Sequence, residues 1–338
     1  MSGGNVKISC LILCLGTFIR ASAIWSQGSE PLRLLQTIPI LSIEGRIDHL
    51  SLDLKGERIF VAALGNNTIE VLPLSGGAPT KSLHGFREPQ GVVYVPEFNQ
   101  VVVASGKDGT CKMFEADTFR LVNTLRLSGD ADNVRYDSEA KQLYIGYGDG
   151  GIAIADAANG KLLANIKLEG HPESFQIEKS GSRIFVNVPA GRHVAVIDRH
   201  KRTVSSKWPL PAAQQNFPMA LDEAHRRLFV GCRQPACVVV FDTGSSKVVA
   251  SLPIAGDTDD LFYDSQNQRV YASCGEGFIS VLEQRDADHY QTIARVPTAT
   301  RARTSLLAPT LKRFYLAVPK QGDHNAELRV YEVRDRQN

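Results

Sequence analysis

The sequence predicts an all-β protein, a seven-bladed β-propeller whose blades are four-stranded antiparallel sheets. The first observation is a motif that recurs seven times, with arginine or glutamine first, then an aliphatic residue, then an aromatic residue or valine, and then small and apolar residues. The second is its spacing, because successive third positions lie 42, 42, 41, 44, 42 and 44 residues apart. These third positions, called anchors below, are Phe60, Val102, Tyr144, Phe185, Phe229, Tyr271 and Tyr315. The third is that short Val- and Ile-rich segments accompany each motif, so each repeat supplies four strands, as a propeller blade does.

The repeat spacing sets the predicted blade boundaries. Residues 24–338 form a single domain, with blades at about 46–86, 87–128, 129–169, 170–211, 212–255, 256–299 and 300–338. The last repeat ends at Val333 after only three strands, whereas the segment 32–42 precedes the first repeat and has no blade of its own. We therefore expect this N-terminal segment to supply the outer strand of the last blade, which closes the ring and removes an exposed edge.

The first 23 residues have the features of a secretory signal peptide. Lys7 gives a short positive start, residues 8–19 are apolar, and Ala21-Ser22-Ala23 fits the small-x-small cleavage pattern. The apolar run is shorter than the roughly 20 residues that span a bilayer, and no later run is longer. The sequence therefore predicts cleavage after Ala23, a periplasmic or secreted protein and no transmembrane segment.

Charge and cysteine content narrow the function classes. The chain has 38 Lys and Arg against 36 Asp and Glu, without the clustered cations that nucleic-acid binding needs. We expect a monomer whose partner is a small molecule or a cell-envelope protein.

The absence of a Cys-x-x-Cys-His motif excludes covalently attached haem. Cys232 and Cys237 bracket a tight turn and predict a disulfide in an oxidising compartment, with buried free thiols as the alternative.

Two segments carry a resemblance to a known family. Val194-Ala-Val-Ile-Asp198 and Val238-Val-Val-Phe-Asp242 match a strand pattern of the YVTN repeat, and a turn containing lysine follows the second. Over about residues 32–333 the chain resembles the YncE-like secreted seven-bladed propellers of bacteria. The family's Tyr-Val-Thr-Asn core is degenerate here, and its nearest copy begins at Phe185. The resemblance implies the fold and no particular activity, because the family has no uniform chemistry.

One end of the ring is predicted to carry an unusual set of polar residues. The residues 11, 12 and 14 positions before each anchor start the innermost strands, so they converge at one mouth of the central channel. The candidate ligand-binding residues at or beside these positions are Arg46, Asp48, His49, Glu88, Gln90, Asp132, Asn133, His171, Glu173, Asn216, Asp259, Asp260, Arg301 and Arg303. We expect Arg303 and His171 to lie in exposed loops. Taken singly, such residues also commonly cap turns.

The mouth residues leave several ligand chemistries open. Four carboxylates, Asp130, Asp132, Asp257 and Asp259, are candidate ligands for a divalent cation, and oxygen ligands alone favour calcium. Adding His49 or His171 favours a transition metal instead. The arginines suit the carboxylate or phosphate of an anionic ligand.

The sequence favours a binding function over a catalytic one. No nucleophile motif of the known hydrolase types is present. We expect an exported scaffold that binds a small anionic or carbohydrate-like ligand, or a protein partner, at the channel mouth. The alternative is a metal-assisted lyase or lactonase, in which His49 or His171 acts as base and Arg46 or Arg303 neutralises a substrate carboxylate. A purely structural role in the cell envelope is the third possibility.

Overall fold

The computed structural model describes residue 1, residues 30–41 and residues 43–336. The predicted signal peptide lies outside this part, apart from Met1. The described chain is almost entirely β-structure, with only four single-turn 3-10 helices, Leu64–Asn66, Pro96–Phe98, Pro189–Gly191 and Pro309–Leu311. No helix in this part is long and apolar enough to cross a membrane.

The strands are short and evenly spaced, as the repeat predicts. The N-terminal strand and the first three blades are β1 (Leu32–Ile40), β2 (Leu50–Asp53), β3 (Arg58–Ala63), β4 (Thr68–Pro73), β5 (Lys81–Leu83), β6 (Pro89–Val95), β7 (Gln100–Ser105), β8 (Thr110–Glu115), β9 (Leu121–Arg126), β10 (Val134–Asp137), β11 (Gln142–Tyr147), β12 (Gly151–Asp156) and β13 (Leu162–Lys167). The remaining four blades contain β14 (Phe175–Ile177), β15 (Arg183–Val188), β16 (His193–Asp198), β17 (Thr203–Pro209), β18 (Gln214–Asp222), β19 (Arg227–Gln234), β20 (Ala236–Asp242), β21 (Val248–Pro253), β22 (Thr258–Asp264), β23 (Arg269–Cys274), β24 (Phe278–Gln284), β25 (Tyr290–Pro297), β26 (Thr304–Ala308), β27 (Arg313–Val318) and β28 (Ala326–Val333).

These strands form seven four-stranded antiparallel sheets, which confirms the predicted fold class. Six sheets contain four consecutive strands, from the inner strand outwards. The seventh has the order β26-β27-β28-β1, so the N-terminal strand completes the last blade as predicted. Its register runs from Leu32 opposite Val333 to Ile40 opposite Ala326.

The hydrophobic core lies between the blades. All seven anchors are buried, with at most 4% of their surface exposed. Seven apolar clusters occur among the described residues, one between each pair of neighbouring blades. Trp208, for example, contacts Phe185 of its own blade and Phe241 of the next. Because each blade buries both faces against its neighbours, closure of the ring is needed to complete the core.

The predicted disulfide between Cys232 and Cys237 is not present in this structure. Both residues are free thiols, although they occupy directly opposed positions on β19 and β20. A hydrogen bond links the two side chains, lowering the pKa of Cys237 to about 7 and, with burial, raising the pKa of Cys232. Both residues are buried, with at most 6% of either exposed, and the disulfide between these opposed positions stays a prediction.

Candidate functional site

A repeated backbone hydrogen bond fixes where the mouth residues lie along the axis of the central channel. In three blades, the N–H of the residue 12 positions before the anchor donates to the carbonyl of the residue two positions after the anchor. Asp48, Asp132 and Glu173 make this bond with N···O distances of 2.8, 2.9 and 3.0 Å. Because the inner strand keeps one register against the anchor strand, counting from the anchor locates equivalent positions around the ring.

The counted positions surround a cavity of about 200 Å³ at the mouth of the central channel. All seven blades contribute to its lining, and ten of the fourteen candidate residues are part of it. The lining residues are Arg46, Asp48, His49, Gln90, Asp130, Asp132, Asn133, His171, Glu173, Ser174, Phe217, Arg233, Asp259 and Arg303. The sequence therefore predicted most of this site, which we call the mouth.

Four candidate residues do not line the mouth. Asp260 lies deeper in the channel. Asn216 is fully buried, and its amide donates to the Asn187 side chain at 2.9 Å and to the His193 carbonyl at 3.1 Å, so it joins two blades. Glu88 pairs with Lys107 at 3.3 Å, and Arg301 is exposed at the rim.

The backbone conformation explains why the position 14 residues before the anchor is a poor guide to which side chains line the mouth. Five of the seven residues there adopt a left-handed conformation, with φ of 37–64°. They are Glu88, Asp130, Gln215, Asp257 and Arg301. This position is therefore a turn, as the simpler interpretation of such residues expected.

Arginine–carboxylate pairs occupy one side of the mouth. Arg303 binds Asp257 at 2.6 Å and Asp259 at 2.9 Å, and Arg233 binds Asp259 at 2.6 Å. The Arg233 guanidinium also lies 3.8 Å from the centre of the Phe217 ring. The predicted metal candidates Asp257 and Asp259 are thus neutralised by arginine. Arg303 was expected to be exposed, but only 22% of its side chain is.

Arg46 and His49 are held by carboxylates as well. Arg46 binds Asp48 at 2.6 Å. The His49 ring lies 3.5 Å from Asp260, 3.8 Å from Asp48 and 3.9 Å from Asp132. Burial lowers the pKa of His49, but Asp260, followed by Asp48 and Asp132, outweighs burial and raises the pKa to about 10. His49 is therefore an imidazolium at neutral pH and a poor general base.

The opposite side of the mouth is acidic, and no arginine among the described residues forms an ion pair with its carboxylates. Asp132, His171 and Glu173 each offer one ligand atom, and these three atoms lie within 4.8 Å of one another. Burial raises the pKa of Asp132 to about 7, and burial together with Asp259 raises that of Glu173 to about 7. His171 Nδ1 lies 2.7 Å from the Gly148 carbonyl and 3.5 Å from Asp130. The His171 side chain is 26% exposed, less than an exposed loop would give.

A second cavity of about 390 Å³ continues the channel below the mouth. His49 and Ser174 line both cavities, so they form the boundary between them. In the lower cavity, Arg135 donates to Asn133 Oδ1 at 3.1 Å, and its guanidinium lies over the Phe175 ring. Burial lowers the pKa of this arginine.

Sequence reasoning missed Arg233 and Arg135, although a signal for each was present. Arg233 lies four positions after its anchor, where the other repeats have Leu64, Gly106, Gly148, Pro189, Gly275 and Pro319. Arg135 lies nine positions before its anchor, where no other repeat has a charged residue. Comparing every position across the repeats, rather than only those that start the inner strand, identifies both.

The fold and the site together define a seven-bladed propeller with a charged central mouth. No protein-family model matches the chain, and no curated protein matches it either. Among solved structures, the chain is similar to one of Kuenenia stuttgartiensis hydrazine synthase. The TM-score is 0.71 with 13% sequence identity, over 85% of this chain and 96% of the other. At this identity the likeness shows the fold alone.

Proposed function

We propose that this protein binds a small, hydroxyl-rich, carbohydrate-like ligand at the mouth of its central channel. The observation that carries the proposal is the convergence of side chains from all seven blades on one cavity of about 200 Å³. A concave site with a few fixed polar groups is the usual form of a small-molecule site. A protein partner is less well supported, because these groups surround a recess.

The charges favour a neutral ligand over the anionic one that the sequence also left open. Arg46, Arg233 and Arg303 already bind carboxylates of the mouth. An anionic ligand would have to displace these carboxylates and would also face the acidic side. Hydroxyl groups, in contrast, both donate to carboxylates and accept from guanidinium groups, so they can bind to these ion pairs without breaking them.

We also propose that the chain is a YVTN-repeat propeller of the YncE-like kind and acts outside the cytoplasm. The repeat strands ending at Asp198 and Asp242 and the signal-like first 23 residues support this. N-terminal sequencing of the protein purified from its native host tests the export part. A first residue near Ile24 supports export, and retention of Met1 contradicts it.

Isothermal titration with neutral mono- and disaccharides and the matching uronic acids, in EDTA, tests ligand binding. We expect a neutral sugar to bind at least about tenfold more tightly than its uronic acid, since burying an uncompensated charge is costly. Gln90→Ala removes a mouth amide that donates to Asp130 and is expected to weaken binding by about tenfold.

The control is Asp198→Ala, because Asp198 lies at the end of blade 4 that is opposite to the mouth. Asp198 accepts from the backbone of His200 and Lys201 and caps a turn, so its loss is expected to lower stability and leave affinity unchanged. Preferential binding of the acids, or equal effects of the two variants on affinity, would contradict the proposal.

A metal-assisted lyase or lactonase is the second candidate, favoured by the proximity of Asp132, His171 and Glu173. Binding is the better supported function because His49 is protonated and His171 belongs to this cluster, so neither histidine is well placed as a base. Turnover of a panel of hydroxy-acid lactones, abolished by His171→Ala, would favour the enzyme.

A further inference from the structure

The acidic side of the mouth has the composition of a metal centre. Asp132 and Glu173 lie on equivalent positions of neighbouring blades, and His171 precedes Glu173 by two residues in the loop before β14. One imidazole nitrogen and two carboxylate oxygens approach one another within 4.8 Å. Ligand atoms of a tetrahedral zinc centre are about 3.4 Å apart, as metal–ligand distances of about 2.0–2.2 Å require. A small inward movement of the side chains therefore closes the site.

One carboxylate oxygen of this cluster lacks a partner, which points to a ligand. Asp132 is 93% buried because only 7% of its surface is exposed, and its Oδ1 accepts no hydrogen bond. Its nearest cationic atom, His49 Nε2, is 3.9 Å away and is shared with Asp48. A buried carboxylate oxygen without a donor costs about 1–3 kcal/mol or more, so a cation there is strongly favoured.

The neighbouring charges support a cation. Among the described residues, no lysine or arginine forms an ion pair with Asp130, Asp132 or Glu173. The arginines of the mouth bind Asp48, Asp257 and Asp259 instead. One side of the mouth therefore has carboxylates paired with arginine, and the ion pairs that the described carboxylates of the other side form are with histidines alone.

The hydrogen bond made by one ring nitrogen of His171 fits metal binding by the other. His171 Nδ1 is 2.7 Å from the carbonyl oxygen of Gly148. A carbonyl only accepts, so Nδ1 carries the proton and the lone pair is on Nε2. Metal-binding histidines usually donate their other ring N–H to a carbonyl or carboxylate in this way.

We propose that Asp132, His171 and Glu173 bind one divalent first-row transition-metal ion. The imidazole selects against calcium and magnesium, which prefer oxygen ligands alone and more of them. Three protein ligands beside a cavity leave coordination positions open to water or a small ligand. This site goes beyond the proposed sugar binding, and either can exist without the other.

Calorimetric titration of the EDTA-stripped protein with ZnCl₂ alone tests the site. We expect one ion per chain, bound at least about tenfold more tightly than Mn²⁺, as the Irving–Williams order predicts, and no measurable binding of Ca²⁺ or Mg²⁺. His171→Ala and Glu173→Gln are each expected to weaken zinc binding by about 100-fold or more. The visible absorption of bound Co²⁺ reports the coordination number and is expected to change in both variants.

The matched control is His225→Ala, which removes a histidine that pairs with Asp222 at 2.8 Å on the opposite face of the ring. Zinc affinity is expected to be unchanged in this variant. Glu173→Gln keeps the shape of the side chain, so it remains decisive if His171→Ala fails to fold. Absence of stoichiometric zinc binding, preference for Ca²⁺, or equal loss in His225→Ala overturns the proposal. Because no sugar is present, these outcomes are independent of the sugar titration.

Discussion

At the scale of single residues, the mouth shows how one repeat position acquires different roles. The positions 11 and 12 residues before each anchor hold a histidine and an aspartate in blade 1, but a proline and a phenylalanine in blade 5. The shared backbone register brings these side chains to one cavity. Their pairing then depends on each neighbour, since Asp259 contacts two arginines whereas Asp132 contacts none.

His49 leads to a prediction about pH. Its pKa is about 10 in the folded protein against an ordinary value of 6.5. The stabilisation from its positive charge is therefore complete below pH 6.5 and is lost as pH rises through about 10. His49→Gln is expected to cost about 3 kcal/mol at pH 7, as breaking a buried pair does, and the difference from wild type is expected to shrink towards pH 10.

Urea unfolding of both proteins at pH 6.5, 8 and 10 in EDTA measures this difference. Groups remote from His49 titrate alike in both proteins and cancel in the comparison. Asp132 is the exception, because the charge of His49 lowers its pKa and that pKa is expected to be higher in the variant. A stability difference that is the same at all three pH values would show that His49 does not carry the positive charge.

The limits of sequence reasoning are clearest among the same residues. Counting from the anchors located Asp132, His171 and Glu173, because strand register is a property of the repeat. It did not reveal that Arg303 and Arg233 share Asp259, because such a contact depends on side-chain conformations in three different blades. It also placed Glu88 and Arg301 at the mouth, since a left-handed turn cannot be recognised without glycine in the sequence.

At the scale of elements, strand β1 pairs with the strand that is most distant from it in the sequence. It is the first described strand, yet it pairs with the last one along eight positions. Leu32, Ile38 and Ile40 are at most 3% exposed and belong to the clusters on the two sides of the last blade. The sequence predicted this strand because the seventh repeat lacked one.

Deleting residues 31–41 is expected to destabilise the whole domain. The lost burial of three large side chains amounts to roughly 5 kcal/mol or more, and the edge of β28 becomes exposed. Two point variants separate packing from strand pairing. Ile40→Ala is expected to cost about 2–5 kcal/mol. Leu35→Ala, at a residue that is 42% exposed, is expected to cost about 0.5 kcal/mol or less. Thermal unfolding measures all three, and an unchanged melting temperature of the deletion would contradict closure by β1.

At the scale of the whole molecule, the blades form a ring in which no blade is first by structure. The seven clusters between blades are equivalent in kind, and the first and last described strands pair within one blade. Leu32 lies opposite Val333, and the Arg334 N–H donates to the Pro31 carbonyl at 3.0 Å. A short linker can therefore join residue 336 to residue 30 without distorting β1 or β28.

This closure predicts that the ring tolerates new chain ends. The test is a circular permutant that begins at Ser246, with residues 336 and 30 joined by a few Gly and Ser residues. In this permutant β21 is the first strand, and it completes blade 5 in the way that β1 completes blade 7 in the native chain. The cut falls in an exposed turn, residues 244–248, away from the mouth, where new termini are well tolerated. We expect one cooperative unfolding transition and a free energy of unfolding within about 2 kcal/mol of wild type. The cut opens only one tight turn, in which the Ser246 N–H donates to the Asp242 carbonyl. Urea unfolding followed by tryptophan fluorescence measures this, since Trp208 lies between blades 4 and 5 beside the new closure. Separate transitions, or instability equal to that of the β1 deletion, would mean that the native closure in blade 7 has a role that an equivalent strand cannot supply.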